Sequence, residues 1–357
     1  MTKSFAFKDT YAPEPLSSDL LEKLESLVIF HPNLNETLHQ ILTFVELGSS
    51  KKILLIVGPT GVGKSRLIDF IYSQLSQNFI EKNMQTPIKL SVLPAEGSTF
   101  SFRTFYLQIM KELEEPLPKH KEDPQIRIAQ LKQRNGLKKN RSTGENRLDL
   151  NHILVNKRCP LMLLDEMNHL AKSMGKQQMI DHMDIPKSIS EITKTKIVGF
   201  GTEGALRLLH LNSQLSRRVK PIFFTPYKIG EAEKLFNCYA SICKSLKLNT
   251  TVGKDHENYL FAHSVGLIGQ LSSWLGESII HALGRKSKSV DIEDFMAEEP
   301  SHITTKSIQR DILIFDNAYE NIMNSIDLEI EREIKKASNN KPGKRKITSR
   351  DSTGGIL

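Results

Sequence analysis

The sequence is 357 residues long, with 49 Lys and Arg against 41 Asp and Glu, a formal net charge of +8 that favours a polyanionic partner. Hydrophobic residues at 39% and charged residues at 25% supply a globular core over most of the chain, which excludes a fibrous or wholly disordered protein. Three cysteines, Cys159, Cys238 and Cys243, fit neither a disulfide framework nor a metal site; with no signal-peptide core at the start and no run of membrane-span length, the expected setting is the cytoplasm, beside the nucleoid, with no membrane partner.

Residues 1–17 read as extended, with Pro13 and Pro15 as breakers. Leu20, Leu21, Leu24 and Leu27 then mark a short amphipathic helix, and Phe30-His31-Pro32 closes an apolar turn. Leu34, Leu38, Ile41, Leu42 and Val45 give a second helix, stopped near Gly48. A nucleotide base needs an apolar surface, and the turn around Phe30 offers one; core packing of Phe30 is the competing reading.

Ile53-Leu54-Leu55-Ile56-Val57 is an apolar run of strand length, and Leu67, Ile68, Ile71 and Leu75 follow at helical spacing. Between them lie Gly58, Pro59, Thr60, Gly61, Val62, Gly63, Lys64 and Ser65, which read G-x-x-x-x-G-K-S, with Arg66 next. Strand, glycine turn and helix start aim backbone N–H groups at a phosphate, so this stretch is the expected ATP site. Lys64 would reach the β- and γ-phosphates, and Ser65 would help hold Mg²⁺.

Ile88 to Leu93 alternates like a strand, and Phe102, Phe105, Tyr106, Ile109, Met110 and Leu113 line one face of a helix, read as core. Residues 116–146 are crowded with Lys and Arg, either a solvated helix pair or a nucleic-acid surface. Leu161-Met162-Leu163-Leu164 is a buried strand ending in two carboxylates; Asp165 would hold Mg²⁺ and Glu166 would polarise the attacking water. Lys196 to Gly201 is a further strand, and Thr202 at its end suits sensing of the γ-phosphate, capping of the next helix, or both. Arg217 and Arg218 precede an edge-like strand, Pro221 to Phe224; they are surface charges at a helix end or a finger reaching a neighbouring subunit's nucleotide, with Arg218 preferred.

From Ile229 the pattern is helical, with a stripe of Ala232, Leu235, Phe236, Tyr239, Ile242 and Leu246, and a further helix opened by Gly266-Leu267-Ile268-Gly269-Gln270-Leu271. A long charged helix is expected over 311–337, then a basic tail too polar to fold. The expected organisation is an N-terminal segment over 1–50, an α/β nucleotide-binding core over 51–227, a helical lid over 228–300, a C-terminal helical extension over 301–338 and the tail over 339–357.

This order of motifs resembles the AAA+ ATPases over roughly residues 20–297: a P-loop NTPase fold with a parallel central sheet, a small α-helical lid and a C-terminal helix. Phe30-His31-Pro32, the segment Gln214 to Val219 and the G-x-I-G-x-L run from Gly266 are similar to features of the TniB/TnsC transposition regulators. The resemblance implies an ATPase that oligomerises on target duplex DNA, recruits a transposase, answers a target-selector protein such as the guide-RNA complex of CRISPR-associated transposons, and disassembles on hydrolysis. It also implies nucleotide contacts from Phe30, His31 and Pro32, and a sensing position at Gln270, where relatives often carry Arg; that departure suggests slow turnover. Ser98, Thr99 and Arg103, near a helix start after the second strand, are the expected phosphate contacts to DNA, Arg103 reading otherwise as a plain surface residue. An origin-recognition-like initiator, a helicase loader and a scaffold that binds ATP without turning it over are the competing functions.

Overall fold

In a computed structural model of the protein, residues 15–46, 51–82, 85–94, 100–114, 142–171, 176–210 and 218–339 are described. Five apolar runs form strands: β1 (Ile53–Val57), β2 (Ile88–Ser91), β3 (Leu161–Asp165), β4 (Lys196–Gly201) and β5 (Val219–Phe223). They pair in parallel in the order β2-β3-β4-β1-β5. Parallel pairing requires crossovers, and helices on both faces cover the sheet. All five residues of β1 are therefore buried, and they alternate: Ile53, Leu55 and Val57 enter one core, Leu54 and Ile56 the other. At the edge, β5 tolerates Pro221, which has no N–H to give to a further strand.

The core facing Ile53 and Leu55 is closed by α4 (Phe102–Glu114) and α5 (Thr143–Lys157), through Phe105, Ile109, Leu113, Leu150 and Leu154. α6 (Lys176–Thr193) adds Met183 and Ile189. The aromatic face of α4 is thus core, as its spacing predicts. The opposite core is formed by α2 (Pro32–Glu46) and α3 (Lys64–Glu81), with Leu34, Ile41, Leu67 and Ile71 on Leu54 and Ile56.

A third core holds the helices after the sheet: α8 (Ala232–Leu246), α9 (Glu257–Ser264), α10 (Ile268–Gly284) and α11 (Ile292–Ala297). The short α7 (Glu203–Leu206) lies between β4 and β5. Trp274 is buried here and donates its indole N–H to the Phe295 carbonyl at 3.0 Å. α1 (Pro15–Ser26) places Leu24 in this third core. Beneath it, Asp294 is fully buried: its carboxylate accepts two bonds from the Arg285 guanidinium, at 2.9 and 2.6 Å, and one contact from the His281 ring at 2.7 Å. The last helix, α12 (His302–Asn339), buries Phe315 in the sheet core and sets Tyr319 edge-on against Phe223 at 4.5 Å. Burying one such ring contributes about 1.5–3 kcal/mol, so this part of α12 is fastened to the sheet.

Several elements differ from the sequence expectation. α1 starts at Pro15, inside the stretch expected to be extended, because proline suits the first turn of a helix, where its missing N–H costs nothing. Pro32 likewise opens α2 as it closes the turn. α12 starts at His302 rather than 311, where Ser301 accepts the Thr304 N–H at 3.1 Å and acts as its cap. The helices α5 and α6 had no counterpart in the expected pattern, apart from the basic stretch, most of which lies outside the described residues. The tail after 339 is outside them too.

Candidate nucleotide site

The sheet register brings three strand ends together. Val57 pairs with Gly201, and Leu164 pairs with Gly199, so Gly58, Asp165-Glu166 and Thr202 share the C-terminal edge of adjacent strands. This is the edge at which ligands bind in open parallel sheets. The Gly58 N–H donates to the Gly201 carbonyl at 3.2 Å and locks the loop to β4.

Glycine is required in the loop for two different reasons. A Cβ at Gly58 would lie 2.2 Å from the Phe224 carbonyl oxygen, so the backbone itself occupies that space. Gly61 and Gly63 have φ of 82° and 108°, in the left-handed region. Gly63 is also the N-cap of α3 and supplies no side-chain cap, which leaves the first N–H groups of an 18-residue helix available to an anion. Gly58, Pro59 and Val62 are buried, while Thr60, Ser65 and Arg66 are exposed.

Lys64 folds back over this loop, its ammonium donating to the carbonyls of Gly58 at 2.7 Å and Pro59 at 2.8 Å. Burial lowers its pKa to about 8, against the opposing fields of Asp165, Glu166 and Glu203. A cation so placed, with little water around it, gains most from a phosphate. Asp165 is shifted the other way: burial raises its carboxyl, and the Glu166 N–H, donating at 2.9 Å, works against that shift. Glu166 has φ of 56°, a strained conformation for a residue with a side chain, at the position expected to polarise water.

Thr202 stands at the N-cap of α7, yet its hydroxyl makes no cap bond, so the capping role belongs to its backbone alone. Its N–H instead donates to Asn168 Oδ1 at 3.4 Å. Asn168 and Glu203 were missed as site residues by sequence reasoning. Asn168 lies three positions past the end of β3 and Glu203 two past the end of β4, and that adjacency was the available signal.

His31 is buried, its Nδ1 2.9 Å from the Tyr227 hydroxyl and its ring stacked over Phe224 at 6.1 Å. Burial lowers its pKa to about 4, which keeps the imidazole neutral. Phe30 is 54% exposed, in a T-shaped contact with Phe70 at 5.1 Å, so the core reading of that ring fails. From the lid side, the Gly269 N–H donates to the Gly61 carbonyl at 2.9 Å, and the Tyr227 N–H donates to the Gly266 carbonyl at 3.0 Å. Gln270, half-buried, follows on α10. The glycine spacing of the lid motif thus marks where it touches the phosphate loop and the segment after β5.

Other expected residues lie elsewhere. Arg218 sits at the start of β5, its carbonyl accepting the Lys52 and Ile53 N–H groups, with its guanidinium paired to Glu191 on α6. Five strand residues, about 17 Å, separate it from the phosphate loop of its own chain. Arg103 is exposed on the first turn of α4. Arg217, Ser98 and Thr99 lie outside the described residues.

Among the described residues no cluster of three or more His, Cys, Asp or Glu could cage a metal. The Ser65 hydroxyl and one carboxylate, Asp165, match Mg²⁺ instead, which takes few protein ligands and completes its shell with phosphate and water. The loop, the uncapped helix start and Lys64 fit a nucleotide polyphosphate, and Ser65 and Asp165 would hold the ion that neutralises it.

Residues 46–209 match the family model described as the AAA domain. No curated protein matches the chain. Among solved structures, the chain is similar to the Aeropyrum pernix ORC1 protein in complex with DNA, with TM-score 0.53, 15% identity and coverage of 78% of this chain and 67% of that one. It is also similar to Drosophila ORC bound to DNA, with TM-score 0.50, 14% identity and coverage of 84% and 68%. The ADP form of the Aeropyrum pernix ORC2 protein gives TM-score 0.50 at 11% identity over 76% and 68%. The fold is that of an AAA+ P-loop NTPase, with a parallel five-stranded sheet, and residues 46–209 are similar to the AAA domain.

Proposed function

We propose that this protein is an ATP-dependent, DNA-binding regulator of transposition, which oligomerises on target duplex DNA and links a target selector to a transposase. The observation that carries the ATPase part is the junction at one sheet edge of Lys64, Ser65, Asp165, Glu166 and Thr202, closed by a lid bonded to the loop through Gly269. ATP would be bound by the loop, with Glu166 accepting a proton from the attacking water and hydrolysis promoting disassembly. The transposition part rests on the Phe30-His31-Pro32 turn and the Gly266 to Leu271 motif. Both are built into the seam between core and lid, where His31 meets Tyr227 and Gly266 receives its N–H.

Arg218 lies far from its own loop and half-exposed, which suits a finger acting on a neighbour's nucleotide. Contacts from Arg103 and the flanking Ser98 and Thr99 would run along the DNA only in the oligomer. Binding should therefore require ATP and fall steeply with salt. A filter-binding series over salt, with and without a non-hydrolysable ATP analogue, tests this; tight, salt-insensitive binding without nucleotide overturns it.

A second reading, an origin-recognition-like initiator or helicase loader, is favoured by the likeness to ORC proteins that are described as bound to DNA. Electron microscopy on random duplex DNA separates the two. Nucleotide-dependent assembly along any duplex supports the regulator, and assembly confined to particular origin sequences supports the initiator.

A further inference from the structure

At the end of α10 remote from the phosphate loop, a groove of about 620 Å³ opens between α1, the last turn of α8 and the segment 286–290. Its floor is apolar, including Leu246, Ile279 and Val290, all buried beneath it. Its rim carries Lys23, Lys247, Lys286 and Lys288 against a single carboxylate, Asp19. All four lysines are exposed, and among the described residues none of their ammonium groups is paired. The nearby acids Asp291 and Asp294 are already matched by Arg285, so they do not neutralise the rim.

Two of these lysines stand at helix ends that fix where their side chains leave the backbone. α8 and α10 both end in left-handed turns that glycine favours, and lysine stands in each: Lys247 with φ of 53° and Lys286 with φ of 57°. Both turns close in the usual way, Leu248 N–H donating to the Cys243 carbonyl and Ser287 N–H to the Ala282 carbonyl. Nothing in the turns themselves needs a side chain there. Other helix ends also put a residue with a side chain in this conformation, Arg158 and Lys194 among them; Lys247 and Lys286 are the two that line the groove. Helix C-termini welcome cations, which accounts for the basic residue at each of these ends.

We propose that this groove docks an acidic amphipathic segment of a protein partner, its apolar side chains on the floor and its carboxylates on the lysine rim. Nucleic acid would use the charge and leave the apolar floor idle; an acidic helix with apolar residues at every third or fourth position uses both. Because α1 forms one wall and the lid the other, such a partner would grip both elements at once. The proposal stands apart from the reading of the nucleotide site.

The test is selection of short random peptides, displayed on phage, against the full-length protein, with counter-selection on the Lys286→Glu, Lys288→Glu variant. The expected winners are net acidic with apolar residues at helical spacing. A labelled winner, followed by fluorescence anisotropy, should bind the charge-reversed variant about tenfold or more weakly, with ATP affinity unchanged in both. The Lys247→Gly, Lys286→Gly variant should also bind the peptide more weakly while unfolding at a higher temperature, since strain is relieved as contacts are lost. A purely structural role for the lysines predicts no change in peptide binding. No enriched family, winners that are neutral or basic, equal binding to the charge-reversed variant, or a glycine variant that binds undiminished overturns the proposal. Displacement of the peptide by duplex DNA reassigns the groove to nucleic acid.

Discussion

The two ends of helix α10 are built on opposite principles. At its start, side chains are absent so that backbones can touch: a Cβ on Gly269 would lie 2.4 Å from the Gly61 carbonyl oxygen, and one on Gly266 would lie 2.2 Å from that of Tyr227. At its finish, about 25 Å away, Lys286 occupies a backbone position where glycine would be easier, across the groove from Lys247 at the end of α8. Function at the first end comes from main-chain N–H groups and close approach. At the second, charge is held over an apolar floor. Perturbations should therefore separate the two ends.

The largest effect is expected at the nucleotide end. Lys64→Ala removes the ammonium that now rests on the Gly58 and Pro59 carbonyls, and ATP binding should become undetectable by calorimetry, with the lid unaffected. The same group sets a pH dependence. Its pKa in the free protein is lowered to about 8, and a bound phosphate favours the charged form. ATP affinity should thus be nearly flat around pH 7 and fall about tenfold per unit above pH 8, because each binding event must then take up a proton. A flat profile to pH 10 would remove Lys64 from the phosphate contact. Next in size, Glu166→Gln should leave ATP bound and slow turnover about 10²-fold or more, read as phosphate release under saturating nucleotide.

That end was also the more legible in the sequence. Glycines at 58, 61 and 63 are demanded by backbone geometry, so the motif prints its own structure. The pair Asp165-Glu166 stands out because a wholly buried strand cannot end in carboxylates without a use for them. The lid end gives no such signal. Left-handed turns without glycine at Lys247 and Lys286 do not announce themselves. α5 was invisible because Asn146 and Asn151 occupy its buried face and break the apolar periodicity. α6 carries Pro186 inside it, which reads as a stop. Asn168 and Glu203 take their meaning from neighbours across the sheet, which one-dimensional spacing does not contain.

Stability of the far end rests on one buried charge. Burial alone would raise the Asp294 carboxyl, but the Asp291 N–H, His281 and Arg285 together hold it below the usual carboxylate range. Asp294→Ala leaves those donors without their acceptor. Arg285 and His281 keep 39% and 33% of their side-chain surface in water, so they can be solvated again, and the cost should be about 2–3 kcal/mol, below that of a fully buried pair. Trp274, the only tryptophan, lies in this core, so its fluorescence in a urea titration reports the lid directly. A midpoint unchanged from the parent protein would show that the carboxylate is dispensable.

The smallest effects make the sharpest contrast, because they come from one substitution made twice on one helix. Gly269→Ala forces its methyl group against the Gly61 backbone, which has no flexible side chain to yield. The lid must tilt off the loop, weakening both the 2.9 Å bond and the ATP site beneath it, and about a tenfold loss of ATP affinity is expected, or about 1.4 kcal/mol. Gly284→Ala, at the other end, meets nothing within 4 Å. There the methyl group only reduces the freedom of the unfolded chain and improves helix propensity, so stability should rise by about 0.5–1 kcal/mol with ATP affinity unchanged. Calorimetry with ATP and urea denaturation followed at Trp274, run on both variants, read the two effects separately. If Gly269→Ala also left ATP affinity intact, the lid's grip on the phosphate loop would be packing without consequence for the nucleotide.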